Sequence, residues 1–203
     1  MKRSSETKKR LSTQAALLCG EAFQKVAEGF IPRIQLIQAE SSLDFSEELG
    51  DLVACAANLG FAIELYIKAL LSQLHLPVPQ THDLRNLYDA IPSQVRELVE
   101  STYDSAMPDQ VRELGGHVSI TIAKGPLQPP QWDDHASVPL SLPDLLKRSK
   151  DLFPSWRYIF EFTQTQDAAY QVHQFEYALL WCAAEAIRIE AMIHLNRAGE
   201  AHS

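Results

Sequence analysis

Two charged residues in the most apolar stretch of the chain are spaced to form an ion pair. Glu64 and Lys68 lie four residues apart within a largely apolar run from Phe61 to Leu71. On a helix this spacing puts both side chains on one face, with the glutamate in the favoured N-terminal position. A partly buried pair must be well satisfied or it destabilises the fold. The pair is therefore either a bridge that fixes the helix register or part of a polar cluster in a cleft.

His82 and Asp83 stand at the predicted start of the next helix. Asp83, or Thr81 before it, can cap that helix by accepting hydrogen bonds from its first amide groups. An imidazole at this place can carry a positive charge beside amide groups that favour anions. His82 is thus either an ordinary turn residue or a group that meets an anionic ligand.

A third candidate lies after the proline-rich middle of the chain, where Trp156, Arg157 and Tyr158 precede Glu161. Arg157 can pair with Glu161 on one helix while Trp156 packs. Alternatively, Arg157 and Tyr158 offer a fork of N–H donors and a hydroxyl group to a phosphate or carboxylate.

Two further groups have the residue types of metal ligands without a complete ligand set. Glu190 and His194 are four residues apart on the last predicted helix, and Asp133-Asp134-His135 lies in a predicted loop. A protein metal site needs three or four ligands in a defined geometry. We therefore predict a solvated helix face and a solvated loop, with no metal ion and no cofactor.

The charge of the chain is unevenly distributed. Among 203 residues, 18 are basic and 26 acidic, for a formal net charge of −8. The first ten residues carry +4, so the remainder carries −12. Because Lys and Arg supply most non-specific affinity for phosphate, so acidic a body is a poor general binder of nucleic acid. We expect residues 1–11 to form a basic, mobile tail and residues 198–203 a frayed C-terminus.

Cysteine usage and hydropathy predict a cytoplasmic protein that does not enter a membrane. Cys19, Cys55 and Cys182 are far apart in the sequence, which argues against a disulfide framework and for a reducing compartment. Each lies in apolar helical surroundings, where an inert core thiol is expected. The best candidate span, Leu52–Ile63, is shorter than the ~20 residues that cross a bilayer.

The spacing of apolar residues predicts three long helices, at about Thr13–Ala39, Ser46–His75 and Gln166–Arg197. Pro32 should kink the first helix near Ile31. The second is apolar on nearly every side, so we expect it to be the most buried element. The first should turn one apolar stripe toward the core, made of Ala15, Leu18, Ala22, Val26 and Phe30.

Shorter helices are predicted after Thr81, after Pro92, at Leu142–Lys150 and at Pro154–Thr163. Residues 107–143 hold six prolines and three glycines and predict a long loop. An alternating stretch inside it could be a strand, but the sequence offers no visible partner. We therefore predict one all-α domain over residues 12–197: a four-helix up-down bundle with additional short helices and a long Pro/Gly-rich loop. The apolar stripes of the two middle helices are Leu84, Leu87, Tyr88 and Ile91, then Val95, Leu98, Val99 and Thr102.

The run Ala56–Ile91 resembles the HEPN superfamily of helical-bundle proteins. The segment Phe153–Glu161 resembles a stretch found in a subset of these proteins. Besides that segment, the motifs that carry the resemblance are Glu64-x-x-x-Lys68-Ala-Leu-Leu on one helix, a short proline-containing break, and His82-Asp83-Leu84 at the start of the next.

The resemblance implies a four-helix bundle that is commonly a homodimer. Many members of the superfamily act on RNA or nucleotides in bacterial defence, abortive-infection and toxin–antitoxin systems, and some have a small nucleotidyltransferase as partner protein. The ribonucleases among them use an Arg-x4–6-His motif without a metal ion. Its two side chains bracket the scissile phosphate, and the 2′-hydroxyl group of the RNA is the nucleophile.

Three residue pairs match that motif: Arg112/His117, Arg188/His194 and Arg197/His202. Arg188 and His194 are the catalytic candidates because they lie on the final long helix, although six residues turn the side chains ~240° around its axis. The sequence thus predicts a HEPN-like protein that binds or acts on RNA or nucleotides, and as an enzyme a metal-independent endoribonuclease. The alternative is a non-catalytic homodimeric bundle that binds a partner protein or a small anion.

Overall fold

Helices make up most of the chain that the structure describes, which confirms the all-α prediction. The computed structural model describes residues 2–39, 47–114, 118–123, 141–157 and 170–200. In those ranges the elements are α1 (Lys2–Glu28), α2 (Ile31–Ala39), α3 (Glu47–Gln73), α4 (Leu84–Asp89), α5 (Ser93–Leu114), β1 (Val118–Ala123), α6 (Leu142–Arg148), α7 (Leu152–Arg157), β2 (Tyr170–Phe175) and α8 (Tyr177–Glu200). Whether four of the helices form an up-down bundle stays a prediction.

Helix α3 is the centre of the core, as its apolar sequence predicts. It packs against α1, α2, α4, α7 and α8, and α8 also packs against α5. Thr13 Oγ1 on α1 lies 2.9 Å from Ser72 Oγ, and the Cys55 thiol lies 3.5 Å from the Ala27 carbonyl oxygen, so α1 and α3 are antiparallel. By length and composition α3 could cross a membrane, but 61% of its most apolar window is buried inside the fold, as in an ordinary core helix.

Helix α3 ends in a Schellman motif, which reverses the direction of the chain. His75 has a φ of 58°, in the left-handed region that glycine usually occupies. The Leu76 N–H donates to the Leu71 carbonyl oxygen at 2.9 Å, and the His75 N–H donates to the Ser72 carbonyl oxygen at 3.2 Å. The reversal allows the segment before α4 to lie beside α3.

Helix α1 begins earlier than predicted. Residues 2–11 form its first turns, so the prediction of a separate tail over residues 1–11 is wrong for the part that is described. The physical reason is local, because no glycine or proline interrupts the helix before Gly20. The break expected near Pro32 is found as a turn at residues 29–30, between α1 and α2. Residues 201–203 lie outside the described ranges, and α8 runs to Glu200.

Four of the five residues of the predicted apolar stripe face away from the core, which contradicts the prediction; the fifth, Phe30, lies just after α1 and is partly buried against the core. Leu18 and Val26 are 58% and 48% exposed, and the two alanines of the stripe are exposed as well. A Cβ on Gly20 would lie 2.6 Å from Cε1 of Tyr66, so α1 can approach this ring only through a glycine. Apart from Leu17, the buried face of α1 therefore consists of small and polar residues: Thr13, Gly20, Gln24 and Ala27.

Strands β1 and β2 form a two-stranded antiparallel sheet that the sequence analysis did not predict. Val118 pairs with Phe175, and Ala123 pairs with Tyr170. Both strands alternate and are rich in β-branched and aromatic residues. Such stretches favour strands once a partner is present, and here the partner comes from a distant part of the chain.

Two predicted boundaries are corrected by this sheet. The loop expected over residues 107–143 is wrong where the structure describes it, because α5 continues through Pro108 and β1 follows. The helix expected from Gln166 is wrong at its start, because residues 170–175 are β2 and α8 begins at Tyr177. Residues 124–140, which include Asp133-Asp134-His135, lie outside the described ranges.

The short helices lie close to their predictions. The predicted stripe of α4 is buried throughout. On α5 the stripe is wrong at Leu98, which is 52% exposed; Val99 of the stripe is buried, and so is Tyr103, one helical turn after it. Helix α6 begins after an N-cap at Ser141, and α7 begins at Leu152, two residues before the prediction.

We predict that Cys55 and Cys182 resist alkylation in the folded protein. Burial raises the pKa of each thiol to about 12, so almost no reactive thiolate is present at neutral pH. Cys19 is exposed. With a thiol reagent at low protein concentration, Cys19 should react first and the other two only after denaturation. A Cys19→Ser variant should show no fast phase; a fast phase in that variant would contradict the burial of the other thiols.

Candidate functional site

A buried carboxylate joins three of the predicted site residues. The Glu64 side chain is only 2% exposed, and each of its oxygens has one cationic or imidazole partner. Lys68 Nζ donates to Oε1 at 2.7 Å, and His82 Nδ1 lies 2.9 Å from Oε2. Exposure rises outward, to 23% for Lys68 and 58% for His82. We call these three residues the Glu64 cluster, and it runs from the core to solvent.

The start of α4 holds His82 in place. Asp83 is the N-cap, and its carboxylate accepts a hydrogen bond from the Asn86 N–H at 2.9 Å. The Asp83 N–H in turn donates to Thr81 Oγ1 at 3.0 Å. The Leu84 N–H donates to the Lys150 carbonyl oxygen at 2.9 Å, which ties α4 to the turn between α6 and α7. Asp83 therefore positions the loop and does not contact Glu64 itself.

Helix α7 brings an aromatic ring to the edge of the cluster. The rings of His82 and Phe153 have centroids 5.6 Å apart, and Phe153 stacks on Phe61 of α3 at 5.2 Å. A Cβ on Gly60 would lie 3.2 Å from the Phe153 amide nitrogen, so the glycine allows this close approach. Sequence reasoning missed Phe153; an aromatic residue one helical turn before Arg157 was the available signal.

For Arg157 and Tyr158, the other predicted ligand-binding residues, the structure describes only the helix that contains Arg157. Arg157 is the last residue of α7, one turn after Phe153, and its side chain lies outside the described residues. Tyr158 lies outside them as well. The structure thus brings Glu64, Lys68 and His82 together and packs α7 against α3; the contribution of Arg157 and Tyr158 stays a prediction.

The Glu64 cluster can orient an imidazole for proton transfer. A carboxylate only accepts hydrogen bonds, so His82 Nδ1 must carry the hydrogen between the two groups. The other nitrogen, Nε2, is then the basic atom of a neutral ring, and it has no partner within the ranges that the structure describes. A histidine that a carboxylate holds in one tautomer is suited to general-base catalysis.

Arg188, one of the two catalytic candidates, lies in a different polar network. Its Nη2 donates to Glu185 Oε2 at 2.8 Å, and its Nη1 lies 3.4 Å from Glu21 Oε1. The hydrogen bond with Glu185 raises the pKa of Arg188 above its ordinary value. Glu185 also accepts from Gln24 Nε2 at 2.5 Å, and Gln24 accepts from the buried Tyr66 hydroxyl group at 2.7 Å. This network, which the sequence analysis missed, joins α1, α3 and α8.

His194, the other candidate, is paired separately. Its Nε2 lies 3.1 Å from Oε1 of Glu190, a buried carboxylate on the same helix. The structure therefore places Arg188 and His194 beside different carboxylates. Among the described residues no group of three metal-ligand side chains includes Glu190 and His194. Two other Arg/His pairs match the spacing of the ribonuclease motif, Arg112/His117 and Arg197/His202. The side chains of Arg112, His117 and His202 are outside the described residues, and Arg197 is exposed near the end of α8.

We predict that Lys68→Met lowers the free energy of unfolding by about 3 kcal/mol, because it leaves a buried carboxylate with one partner. The double variant Glu64→Gln/Lys68→Met should lose less, since no buried charge is left unpaired. Urea denaturation measures both. Arg33→Met is the control: Arg33 is 65% exposed beside Asp51, and its loss should cost less than about 1 kcal/mol. Equal effects of Lys68→Met and Arg33→Met would contradict the burial of the pair.

The comparisons with known proteins bear on the same part of the chain. Residues 36–117, about two fifths of the chain, match the family profile of the HEPN domain. The match spans α3, α4 and α5, so it contains the whole Glu64 cluster and ends before α7 and α8. A comparison with curated proteins and one with solved structures each found no match. The match over residues 36–117, together with the helical fold, supports membership of the HEPN superfamily for this part of the chain.

Proposed function

We propose that the protein is a metal-independent endoribonuclease in which His82 is the general base. The observation that carries the proposal is the contact of 2.9 Å between His82 Nδ1 and the buried Glu64 carboxylate. That contact assigns the hydrogen to Nδ1 and leaves Nε2 as a base at an exposed edge. Glu64 is the positioning residue of this pair.

The proposed reaction is a transesterification within the RNA. His82 Nε2 takes the proton of a 2′-hydroxyl group, and the 2′ oxygen forms a bond to the adjacent phosphorus. The bond from phosphorus to the 5′ oxygen breaks, and this oxygen leaves with a proton from water; the hydroxide ion so formed takes up the proton that His82 holds. The products are a 2′,3′-cyclic phosphate and a 5′-hydroxyl end. No oxidant, reductant or metal ion takes part in these steps.

The charge of the protein supports action on a short single-stranded site. With −12 beyond its first ten residues, the chain has a net charge that opposes non-specific binding of duplex nucleic acid. Among the described residues, the cationic side chains of the Glu64 cluster are Lys68 and, when protonated, His82. Such an activity fits a protein that arrests growth in a defence or toxin–antitoxin system. A nucleotidyltransferase is the candidate partner protein.

A second candidate function is the binding of a small anion or a partner protein without catalysis. The observation that favours it is that Lys68 Nζ is already bound to Glu64 at 2.7 Å. A lysine held in this way supplies less charge to a scissile phosphate, and the described residues add no further cation in contact with Nε2 of His82. In this case the protein binds RNA or a nucleotide and releases it unchanged.

We predict that His82→Asn lowers the rate of RNA cleavage by about 10²–10⁴-fold, the usual contribution of a general base. The asparagine amide keeps a donor toward Glu64, so the fold is preserved while the base is lost. Cleavage of labelled single-stranded RNA is measured in the presence of a chelator, and the products are tested for 2′,3′-cyclic phosphate ends.

His194→Asn is the matched control, because it changes the same residue type in the other candidate pair. We expect it to leave cleavage within a small factor of wild type. Loss of cleavage in His194→Asn but not in His82→Asn would move the site to Arg188 and His194. Binding of RNA with no cleavage by the wild-type protein would favour the second candidate function.

A further inference from the structure

A row of aromatic rings among the described residues leads across three helices to His82. Phe23 on α1 meets Phe61 on α3 edge to face, with ring centroids 4.6 Å apart. Phe61 stacks on Phe153 of α7 at 5.2 Å, and Phe153 lies 5.6 Å from the imidazole of His82. We call Phe23, Phe61 and Phe153 the aromatic row. It ends where the Glu64 cluster reaches solvent.

The aromatic row lies at the surface of the core and not inside it. Each of its three side chains is partly exposed, although phenylalanine is among the residues most often buried completely. Other rings anchor the same helices in the core, because Tyr66 of α3 is 0% exposed and Trp156 of α7 is 2% exposed. Adjacent apolar groups at a surface, unlike single ones, are typical of a binding site. The contact between Phe61 and Phe153 is therefore a candidate ligand site.

Main-chain packing holds the stacked pair of rings in place. A Cβ on Gly60 would lie 3.2 Å from the Phe153 amide nitrogen and 3.1 Å from Leu152 Cδ2, so a side chain at this position would push α7 away from α3. Leu152 is 4% exposed and fixes the start of α7 in the core. The rings of Phe61 and Phe153 are thus ordered before a ligand arrives, which lowers the entropic cost of binding.

The surroundings of the row indicate a ligand with a flat apolar part and an anionic part. Lys68 comes seven residues after Phe61, almost two full turns, so it lies on the same side of α3 and about 10 Å farther along the helix. His82, which carries a positive charge when protonated, is at the end of the row. A nucleotide joins a flat base to a phosphate group through one sugar ring. Proteins commonly hold single-stranded RNA by stacking its bases on aromatic side chains.

The order of groups in a ribonucleotide matches the order of Phe153 and His82. The 2′-hydroxyl group is on the sugar carbon next to the one that carries the base. Phe153 and His82 are neighbours in the same way, with ring centroids 5.6 Å apart. A base on the row thus brings its own 2′-hydroxyl group to the side of His82. Because a base in a duplex is already stacked between its neighbours, the row selects single strands.

We propose that the aromatic row is a binding site for one nucleobase of single-stranded RNA, that of the nucleotide whose 2′-hydroxyl group reacts at His82. Phe153 contacts the base, and Phe61 and in turn Phe23 support Phe153. Stacking tolerates every base, so the site has little sequence preference. Binding of the base is independent of cleavage, whereas the assignment to the reacting nucleotide rests on the proposed function.

The first experiment measures binding without cleavage. The probes are a labelled decamer of 2′-deoxyadenosine, which has no 2′-hydroxyl group to react, and an abasic decamer with the same phosphates. Fluorescence anisotropy at one low salt concentration gives both dissociation constants, since the phosphate contribution depends on salt. Wild type should bind the adenine decamer about 5- to 150-fold more tightly, the range that stacking of one base supplies.

Variants of one ring locate the preference. Phe153→Leu should remove most of it, because leucine keeps an apolar contact but offers no flat ring. Phe153→Tyr should keep it, which separates loss of the ring from damage to the fold. Phe30→Leu is the matched control, because Phe30 is also partly exposed but lies in the turn between α1 and α2. Its change should leave both dissociation constants within a small factor of wild type.

The second experiment identifies the bound nucleotide. A 2′-deoxy decamer with a single ribonucleotide can be cleaved by this mechanism at that position alone. Removal of the base from the ribonucleotide should lower kcat/KM about 5-fold or more beyond the effect of the same removal on its 3′ neighbour. Phe153→Leu should make the two losses equal. Equal losses in wild type would contradict the assignment to the reacting nucleotide.

Two results of the binding experiment would overturn the proposal. They are equal affinity of wild type for the two decamers, and a loss of preference in Phe30→Leu as large as in Phe153→Leu. A base preference that depends on Phe153 in a protein that cleaves no RNA would support the binding site and reject the proposed function. Cleavage that depends on His82 without any base preference would do the reverse.

Discussion

A single buried carboxylate organises the part of the molecule where chemistry is possible. Glu64 is on the central helix, and burial without partners would cost several kcal/mol. Lys68 and His82 meet that requirement from two different segments of the chain. The turn at the end of α3, the cap of α4 and the contact between α4 and the turn before α7 all serve to bring the imidazole back to this oxygen. The path of the chain from Glu64 to His82, some twenty residues, is thus explained in part by the need of one buried charge for polar partners.

Two polar networks among the described residues hold their cations in different ways. One contains Lys68 and His82 around a buried acid, and it ends at an exposed imidazole. The other holds Arg188 between Glu185 and Glu21 and continues through Gln24 to a buried tyrosine. An arginine with two carboxylate partners and a raised pKa fastens helices together, whereas the first network leaves a nitrogen atom for a ligand. This difference is why the proposed function rests on His82.

Local patterns in the sequence were sufficient to predict those features that depend on residues close to one another along the chain. The spacing of Glu64 and Lys68 predicts their contact, the residues around α4 predict its cap, and the apolar length of α3 predicts its central position. Contacts between distant segments were not accessible in this way. The pairing of β1 with β2 depends on two stretches far apart in sequence, and the inner face of α1 depends on one glycine under a tyrosine ring. Periodicity alone chose the more apolar side of that helix, which was the outer one.

The antiparallel pair of β1 and β2 has a consequence for how the site is assembled. Because Ala123 lies opposite Tyr170, the segment between the two strands begins and ends at neighbouring points. That segment contains α6 and α7, whose buried residues belong to the same core as α3. Glu64 and His82 precede β1 in the chain, whereas Phe153, the ring that borders His82, comes from the segment between the strands. A change in the sequence of α7 can therefore alter the surroundings of His82 without altering the contact between Glu64 and His82, so that substrate specificity and reactivity can change separately.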